Sequence, residues 1–218
     1  MTTVVNAIFS EKRRIIHEMD NGEKKRYQTV RGGVSWPVMA ENLPAYYCIF
    51  GEEEMPYEEP RPMRGKLQFL CEFEAPDIYT SLDSFFMKLT DDAVLYLCER
   101  LYTVTEEFQG EDYRGYVEAF QGFAYEKGPA GRLEQAPWAE RPDLGMYHIK
   151  SWIDRGLLKI PDGTLLQEQL RMVRADEVKA IPTRLNAVNA LRFVVCGFEK
   201  DRPNDLCGFQ PRRSPPPR

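Results

Sequence analysis

The sequence contains only two histidines, His17 and His148, and its five cysteines show no CxxC spacing. Zinc sites are built from closely spaced cysteines and histidines, so we expect no metal of this kind. The same scarcity, together with the absence of a Gly-x-Ser-x-Gly motif, argues against a nucleophilic triad. An odd number of cysteines, mostly inside apolar segments, favours reduced, buried thiols in a cytoplasmic protein.

Long apolar runs and an excess of positive charge are also missing. No segment approaches the roughly 18 apolar residues of a membrane-spanning helix, so we expect no membrane contact. The net charge is −5 and the isoelectric point is about 5.3. This balance argues against a generally basic surface but leaves room for a local basic patch. Because the chain has no GxxxxGK(S/T) loop, it cannot be a motor of the P-loop type.

The chain is 218 residues long and 43% of its residues are hydrophobic, which is enough for one sizeable core. We predict a charged lead-in over 1–31, one domain over 32–200, and a Pro- and Arg-rich tail over 201–218 that stays extended or disordered. A turn signal at residues 20–23 lies in the lead-in. The basic side chains around it either contact phosphate groups or simply face solvent. They are Lys12, Arg13, Arg14, Lys24, Lys25, Arg26 and Arg31.

Apolar periodicity predicts strands first and helices later. Residues 66–76 alternate apolar and polar side chains, which indicates a strand, and we expect it to pair antiparallel with the apolar run at 45–51. Residues 81–100 are helical, and because Ser81 and Thr90 are both good N-cap types we expect two short helices or one helix with a break. Short strands that adjoin helices then predict an α/β fold with a mixed sheet. These later elements are strands at 101–105, 132–135 and 157–160 and helices at 111–128, 142–155, 165–173 and 184–198.

Two passages near the end carry a resemblance to a known family. RPDLGMYHIKSWIDRGLLKIPDGTLLQEQLRMV and TRLNAVNALRFVV are similar to the helix, glycine, short strand, helix and final helix of the ribonuclease H-like nuclease domain of phage terminase large subunits. RGGVSWP, residues 31–37, resembles that family's first strand. The resemblance covers residues 32–198 and implies a ribonuclease H-like mixed sheet flanked by helices. It also implies phosphodiester hydrolysis by two divalent ions that carboxylates hold.

The chain departs from the family where those carboxylates are expected. Ser35 stands at the first-strand aspartate, and Thr103 and Val104 stand where a second acid belongs. Asn186 and Asn189 occupy the histidine and aspartate positions of the final helix. An asparagine brings no negative charge, and losing one carboxylate near a divalent ion removes several kcal/mol of attraction. The resemblance therefore implies the fold, while these departures predict a degenerate site without a metal.

The final helix also allows a simpler interpretation. Asn186, Asn189 and Arg192 are spaced by three, as expected for one face of a helix. They form either the polar outer face of an ordinary core helix or the remains of an acidic pocket. The apolar stripe on the opposite face consists of Leu185, Val188, Leu191 and Val195.

Three functions remain open. The first is a catalytically degenerate protein of phage or prophage origin that acts as a DNA-packaging or DNA-processing accessory, by binding DNA or packaging proteins and without a cofactor. The second is a Mg²⁺- or Mn²⁺-dependent DNA endonuclease with relocated ligands. The third is a protein-interaction module unrelated to nucleic acid, whose tail docks in an aromatic groove. The residues that could serve as relocated ligands are Glu72, Glu74, Glu106, Glu107 and Asp112. The sequence favours the first function.

Overall fold

A computed structural model describes residues 3–10, 14–35, 44–54, 65–75, 78–104, 132–179, 181 and 184–200. The strands in these residues are β1 (Val4–Phe9), β2 (Ile15–Met19), β3 (Lys24–Ser35), β4 (Tyr46–Glu53), β5 (Leu67–Glu74), β6 (Arg100–Thr103), β7 (Arg132–Gln135) and β8 (Leu158–Lys159). The α-helices are α1 (Ile78–Leu95), α2 (Pro142–Asp154), α3 (Leu165–Met172) and α4 (Asn186–Lys200). None of the helices in the described ranges is long and apolar enough to span a bilayer.

All eight strands belong to one mixed sheet, organised around β3. The strands β1 to β5 pair in chain order, each antiparallel to the next, and β8 joins β5 in parallel. On one side β3 pairs with β4 along most of its twelve residues. On its other side the first part of β3 pairs with β2, and its last part pairs with β6 in parallel. The strand β7 then adds to β6, so β3 connects both halves of the sheet.

Helices cover both faces of the sheet, which explains why the first five residues of β4, Tyr46 to Phe50, show no polar alternation. Tyr47 and Ile49 point into a core with α1, whereas Tyr46, Cys48 and Phe50 point into a second core with α2, α3 and α4. A strand that is buried on both faces loses the polar alternation of a half-exposed strand. This arrangement confirms the predicted α/β class, a mixed sheet flanked by helices.

The predicted lead-in differs from what the structure contains. Residues 1–31 include β1, β2 and most of β3, so strand pairing begins well before residue 32. In β2 the side chains of Ile15, His17 and Met19 are buried, and the intervening ones are only half-buried. That period of two is hard to recognise because charged residues surround it. The division into lead-in, domain and tail stays a prediction.

The helix α1 is continuous, so the possible break at Thr90 is wrong. Thr90 is buried within the helix and starts no second one. Asp92, two residues further along α1, is also buried. Its carboxylate accepts hydrogen bonds from the Tyr47 hydroxyl and the Lys88 ammonium, both at 2.6 Å. These bonds compensate for removing the charge from water.

The later elements follow the prediction closely. The helix α2 begins at Pro142, and Gly156 follows its end with a φ of +65°, a conformation that glycine adopts without strain. The helix α3 begins after Thr164, whose hydroxyl accepts the Gln167 N–H at 3.2 Å, as expected for half of a capping box. The Gln167 side chain instead donates to Asp162. The helix predicted at 111–128 lies outside the described residues.

The closest approach between the sheet and its helices occurs where α4 crosses β3. A Cβ atom added to Gly33 would lie 1.9 Å from the carbonyl oxygen of Ala190, far inside van der Waals contact. The obstacle is helix backbone, which cannot rotate away as a side chain can. Glycine at this position therefore allows α4 to lie directly on the sheet.

We expect Gly33→Ala to lower the free energy of unfolding by about 3 kcal/mol, because α4 must shift away from β3 to admit the methyl group. Urea unfolding of the full chain measures this loss. The matched control is Gly156→Ala, which adds the same methyl group where no atom lies within 4 Å. Its cost of about 1 kcal/mol comes from the positive φ alone. Equal losses for the two variants would contradict the importance of the close contact.

Candidate functional site

The positions that the resemblance singles out lie where the end of β3 meets the start of α4. Ser35 ends β3, is 7% exposed, and pairs with Tyr46, which pairs in turn with Glu74. Directly opposite residues on antiparallel strands project to the same face. Tyr46 packs in the core beneath α4. The three side chains therefore form one row across β3, β4 and β5 on the face that α4 covers.

Asn186, the first residue of α4, reaches this row and is 2% exposed. Its Nδ2 donates to the Pro44 carbonyl at 2.8 Å and to Oε1 of Glu74 at 3.1 Å. Its Oδ1 accepts from Nε2 of Gln169 at 2.8 Å, and Oε1 of Gln169 accepts the Ala187 N–H at 2.9 Å. These five residues form what we call the Asn186 junction. It ties α3, α4 and β5 together through satisfied polar groups.

Glu72 has a different structural role, two residues earlier on β5. Its carboxylate accepts the backbone N–H groups of Leu165 at 2.8 Å and Leu166 at 3.1 Å. A negative charge is favourable at this position because the helix N-terminus carries partial positive charge. The carboxylate also accepts the Tyr46 hydroxyl at 2.6 Å. Burial, and then the nearby Cys48 and Glu72, raise the pKa of Tyr46 far above its usual value, so this hydroxyl remains a donor.

Both acids of β5 that could have served as relocated ligands are thus engaged in protein contacts. Glu72 caps α3, and Glu74 accepts from the Asn186 junction. Within the described ranges no three His, Cys, Asp or Glu side chains come together as a metal site would require. The remaining candidates, Glu106, Glu107 and Asp112, lie outside these ranges.

The position of the second expected acid is apolar. Thr103 ends β6 and is fully buried. Val104 follows it and packs against a cluster that contains Tyr102 of β6 and Phe193 of α4. Asn189 lies one turn beyond the start of α4 and is half-buried. It is thus Asn186, and not Asn189, that bonds to an acid of β5.

The interpretation of α4 as a helix with a polar outer face is wrong. Arg192 and Glu199 are as buried as Asn186, because α2 and α3 cover the side of α4 that faces away from the sheet. The Arg192 guanidinium lies 4.9 Å from the Phe193 ring centroid, and Glu199 accepts a hydrogen bond from the Trp152 indole. The sequence of one helix does not show whether other helices will cover the side that faces away from the sheet.

Arg31 was predicted to contact nucleic acid, and this assignment is wrong because its side chain belongs to the core. The residue is 9% exposed, and its guanidinium donates to the Gly197 carbonyl at 2.8 Å. This carbonyl is among the last four of α4, which have no partner within the helix. The guanidinium also lies 5.0 Å from the centre of the Phe198 ring. Arg31 thus holds the C-terminal end of α4 on β3.

The other predicted basic contacts lie in a region of mixed charge. Arg14 is 3.4 Å from Glu54 in a half-buried ion pair, and Lys24 is 3.6 Å from Glu18 in an exposed one. Such pairs are weak enough to be exchanged for another anion. Lys25 is half-buried and Arg26 is exposed on β3, while Lys12 and Arg13 lie outside the described residues.

The two histidines are both interior. His17 is fully buried, its Nε2 lies 2.8 Å from the Tyr96 carbonyl oxygen, and its ring contacts that of Tyr27. Burial lowers the pKa of His17, which keeps the ring neutral at pH 7. His148 lies between the Trp138 ring and Glu199, with Nδ1 4.0 Å from the carboxylate. Both positions agree with structural roles in the core.

The fold defines the class of the protein: an α/β protein with one mixed sheet that helices cover on both faces. No family model and no curated protein matches the chain. Two solved structures are similar to it, Thermus thermophilus RuvC and T. thermophilus RuvC in complex with Holliday junction substrate. Each is 12% identical with a TM-score of 0.42, and each alignment covers 79% of this chain and 96% of the other.

We expect Asn186→Asp to destabilise the protein by about 3 kcal/mol at pH 7, because the substitution removes two donated bonds and places a second carboxylate beside Glu74. Repulsion raises the pKa of the new carboxyl in the folded state. The loss is therefore full above that pKa and shrinks as the pH falls towards 4, where the protonated carboxyl can donate again. Urea unfolding at several pH values measures it.

The control is Asn189→Asp, the same change at a half-buried position one turn away, with an expected cost below about 1 kcal/mol. If Asn186→Asp were as mild as this control, the bonds of the Asn186 junction would not matter for stability.

Proposed function

We propose that this chain is a catalytically degenerate ribonuclease H-like protein that acts by binding and not by cutting. The observation that carries the proposal is the Asn186 junction. Where the family resemblance places converging carboxylates, the chain has Ser35, Val104 and Asn189, and Asn186 stands at the neighbouring histidine position. The nearby Glu74 accepts a hydrogen bond from Asn186.

Electrostatics explains why this arrangement opposes metal-dependent hydrolysis. At an effective dielectric constant near 20, two unit charges about 4 Å apart attract by about 4 kcal/mol. Two or three missing carboxylates therefore remove most of the attraction for a divalent ion. Glu72 could replace a missing metal ligand only by losing the hydrogen bonds that it accepts from two backbone N–H groups and the Tyr46 hydroxyl. Releasing it would leave the N–H groups of Leu165 and Leu166 at the start of α3 without their acceptor.

For the binding activity we propose DNA as the partner. The support is the basic side chains near the β2–β3 turn, of which Arg14, Lys24, Lys25 and Arg26 lie in the described residues. Phosphate groups would replace Glu54 and Glu18 as the counterions of Arg14 and Lys24. The resemblance of residues 142–198 supports a setting in phage or prophage DNA packaging or processing, with packaging proteins as further partners.

A plasmid-nicking assay tests the loss of cutting. With Mg²⁺ or Mn²⁺ and the protein in large excess over supercoiled plasmid, we expect no nicked product. The opposite result is metal-dependent nicking that disappears when Glu106 and Glu107, or Glu74, are changed to glutamine. It would show that relocated carboxylates hold the metal, and the degenerate site would have to be abandoned.

Salt titration tests DNA binding. We expect the logarithm of the affinity to fall linearly with that of the salt concentration, and Lys25→Glu/Arg26→Glu to reduce this slope by about 2. The control, Lys150→Glu/Arg155→Glu, makes the same change in net charge on α2 and at its end. It should leave the slope unaltered. Absence of binding at low salt, or an equal effect of both double variants, would count against a DNA contact at the β2–β3 turn.

A further inference from the structure

The strand β1 forms an edge of the sheet and carries exposed apolar side chains. Among the described strands it pairs only with β2. Val5 is 59%, Ile8 is 50% and Phe9 is 40% exposed. No residue from Thr3 to Ser10 is charged. Natural edge strands are usually protected by lysine, proline, a bulge or a covering segment. The register irregularity of β1 lies between Val4 and Asn6, so the strand is regular beyond it.

The regular part of β1 has hydrogen-bonding groups that face the open edge. The Ser10 N–H donates to the Arg14 carbonyl at 2.7 Å, so Ser10 belongs to a hydrogen-bonded pair with β2. In an antiparallel ladder such pairs alternate with pairs that do not bond. Ala7 and Phe9 are of the second kind, and their N–H and C=O groups therefore point away from β2. A further strand could bond to them.

We propose that this edge binds a second copy of the chain, with the two β1 strands antiparallel about a twofold axis. Placing Ala7 opposite Ala7 of the second copy lets the two residues exchange both backbone bonds. The same register brings Phe9 of each copy close to Val5 of the other, at the irregular part of β1, and buries exposed apolar area on both sides. Such an interface is isologous and closes after two copies.

The absence of charge along β1 favours this partner. A second copy brings an equally uncharged, apolar strand to the edge, so pairing removes no ion from water. A strongly charged peptide would find no counter-charge along β1 itself.

The interface is small, which sets its expected strength. One pair of six-residue strands buries less than the roughly 1,200 Å² of a standard stable interface. We therefore expect a reversible dimer with a dissociation constant on the order of 10 μM. This inference does not depend on the proposed function, because the dimer forms without DNA.

Sedimentation equilibrium of the full chain between about 1 and 200 μM brackets this constant and tests the dimer. Ala7→Pro removes an N–H on the open edge and leaves the bonds to β2, and Phe9→Lys adds a charge at the same edge. Each should raise the dissociation constant at least about tenfold. Met87→Lys, at a 67% exposed position on α1, should leave it within about twofold.

A monomer over the whole concentration range would overturn the proposal. So would a dimer whose dissociation constant is the same in wild type and in both edge variants, because its interface would then lie elsewhere. If the circular dichroism spectrum shows that Ala7→Pro disturbs the fold, Phe9→Lys alone decides. Phe9→Lys changes a side chain and leaves every backbone N–H group of β1 in place.

Discussion

The contact between α4 and β3 is the constraint on which the rest of the structure depends. At Gly33 the helix lies so close to the strand that no side chain fits between their backbones. At the far end, Arg31 extends from β3 and donates to the Gly197 carbonyl. Because α2 and α3 then cover α4 from the other side, every polar group on this helix must find a partner within the protein or be destabilising.

That requirement explains the arrangement at the start of α4. Asn186 has two amide hydrogens and a carbonyl oxygen to satisfy, and Pro44, Glu74 and Gln169 satisfy them. A carboxylate at the same place could accept bonds but could donate none, and it would repel Glu74. The asparagine is therefore the residue that suits a closed interior. The same amide makes this end of the sheet a poor place to collect positive ions.

Sequence patterns predicted those parts of the fold that local periodicity or a terminal signal determines. The alternation of 66–76 and the helices predicted at 142–155 and 165–173 all correspond to observed elements. Partners that lie far away in the chain could not be predicted. Gln169 meets Asn186, and Arg31 meets Gly197, only because α4 folds back onto both α3 and β3. For the same reason the burial of Arg31 and Arg192 conflicted with the expectation that cations face solvent.

The positions that differ from the nuclease pattern have been absorbed into separate packing arrangements. Ser35 lies in a buried row beside Tyr46, Val104 lies in an apolar cluster with Phe193, and Asn186 joins two helices to the sheet. A carboxylate introduced at any one of them would be buried without a counter-charge. Burial would then raise the pKa of the new carboxyl group, or the surrounding structure would unfold. The protonated form is not a ligand for a divalent ion. Introducing carboxylates here would thus require several changes at once, together with partners that take over the structural contacts. The residues at these positions are therefore coupled to the packing of the core.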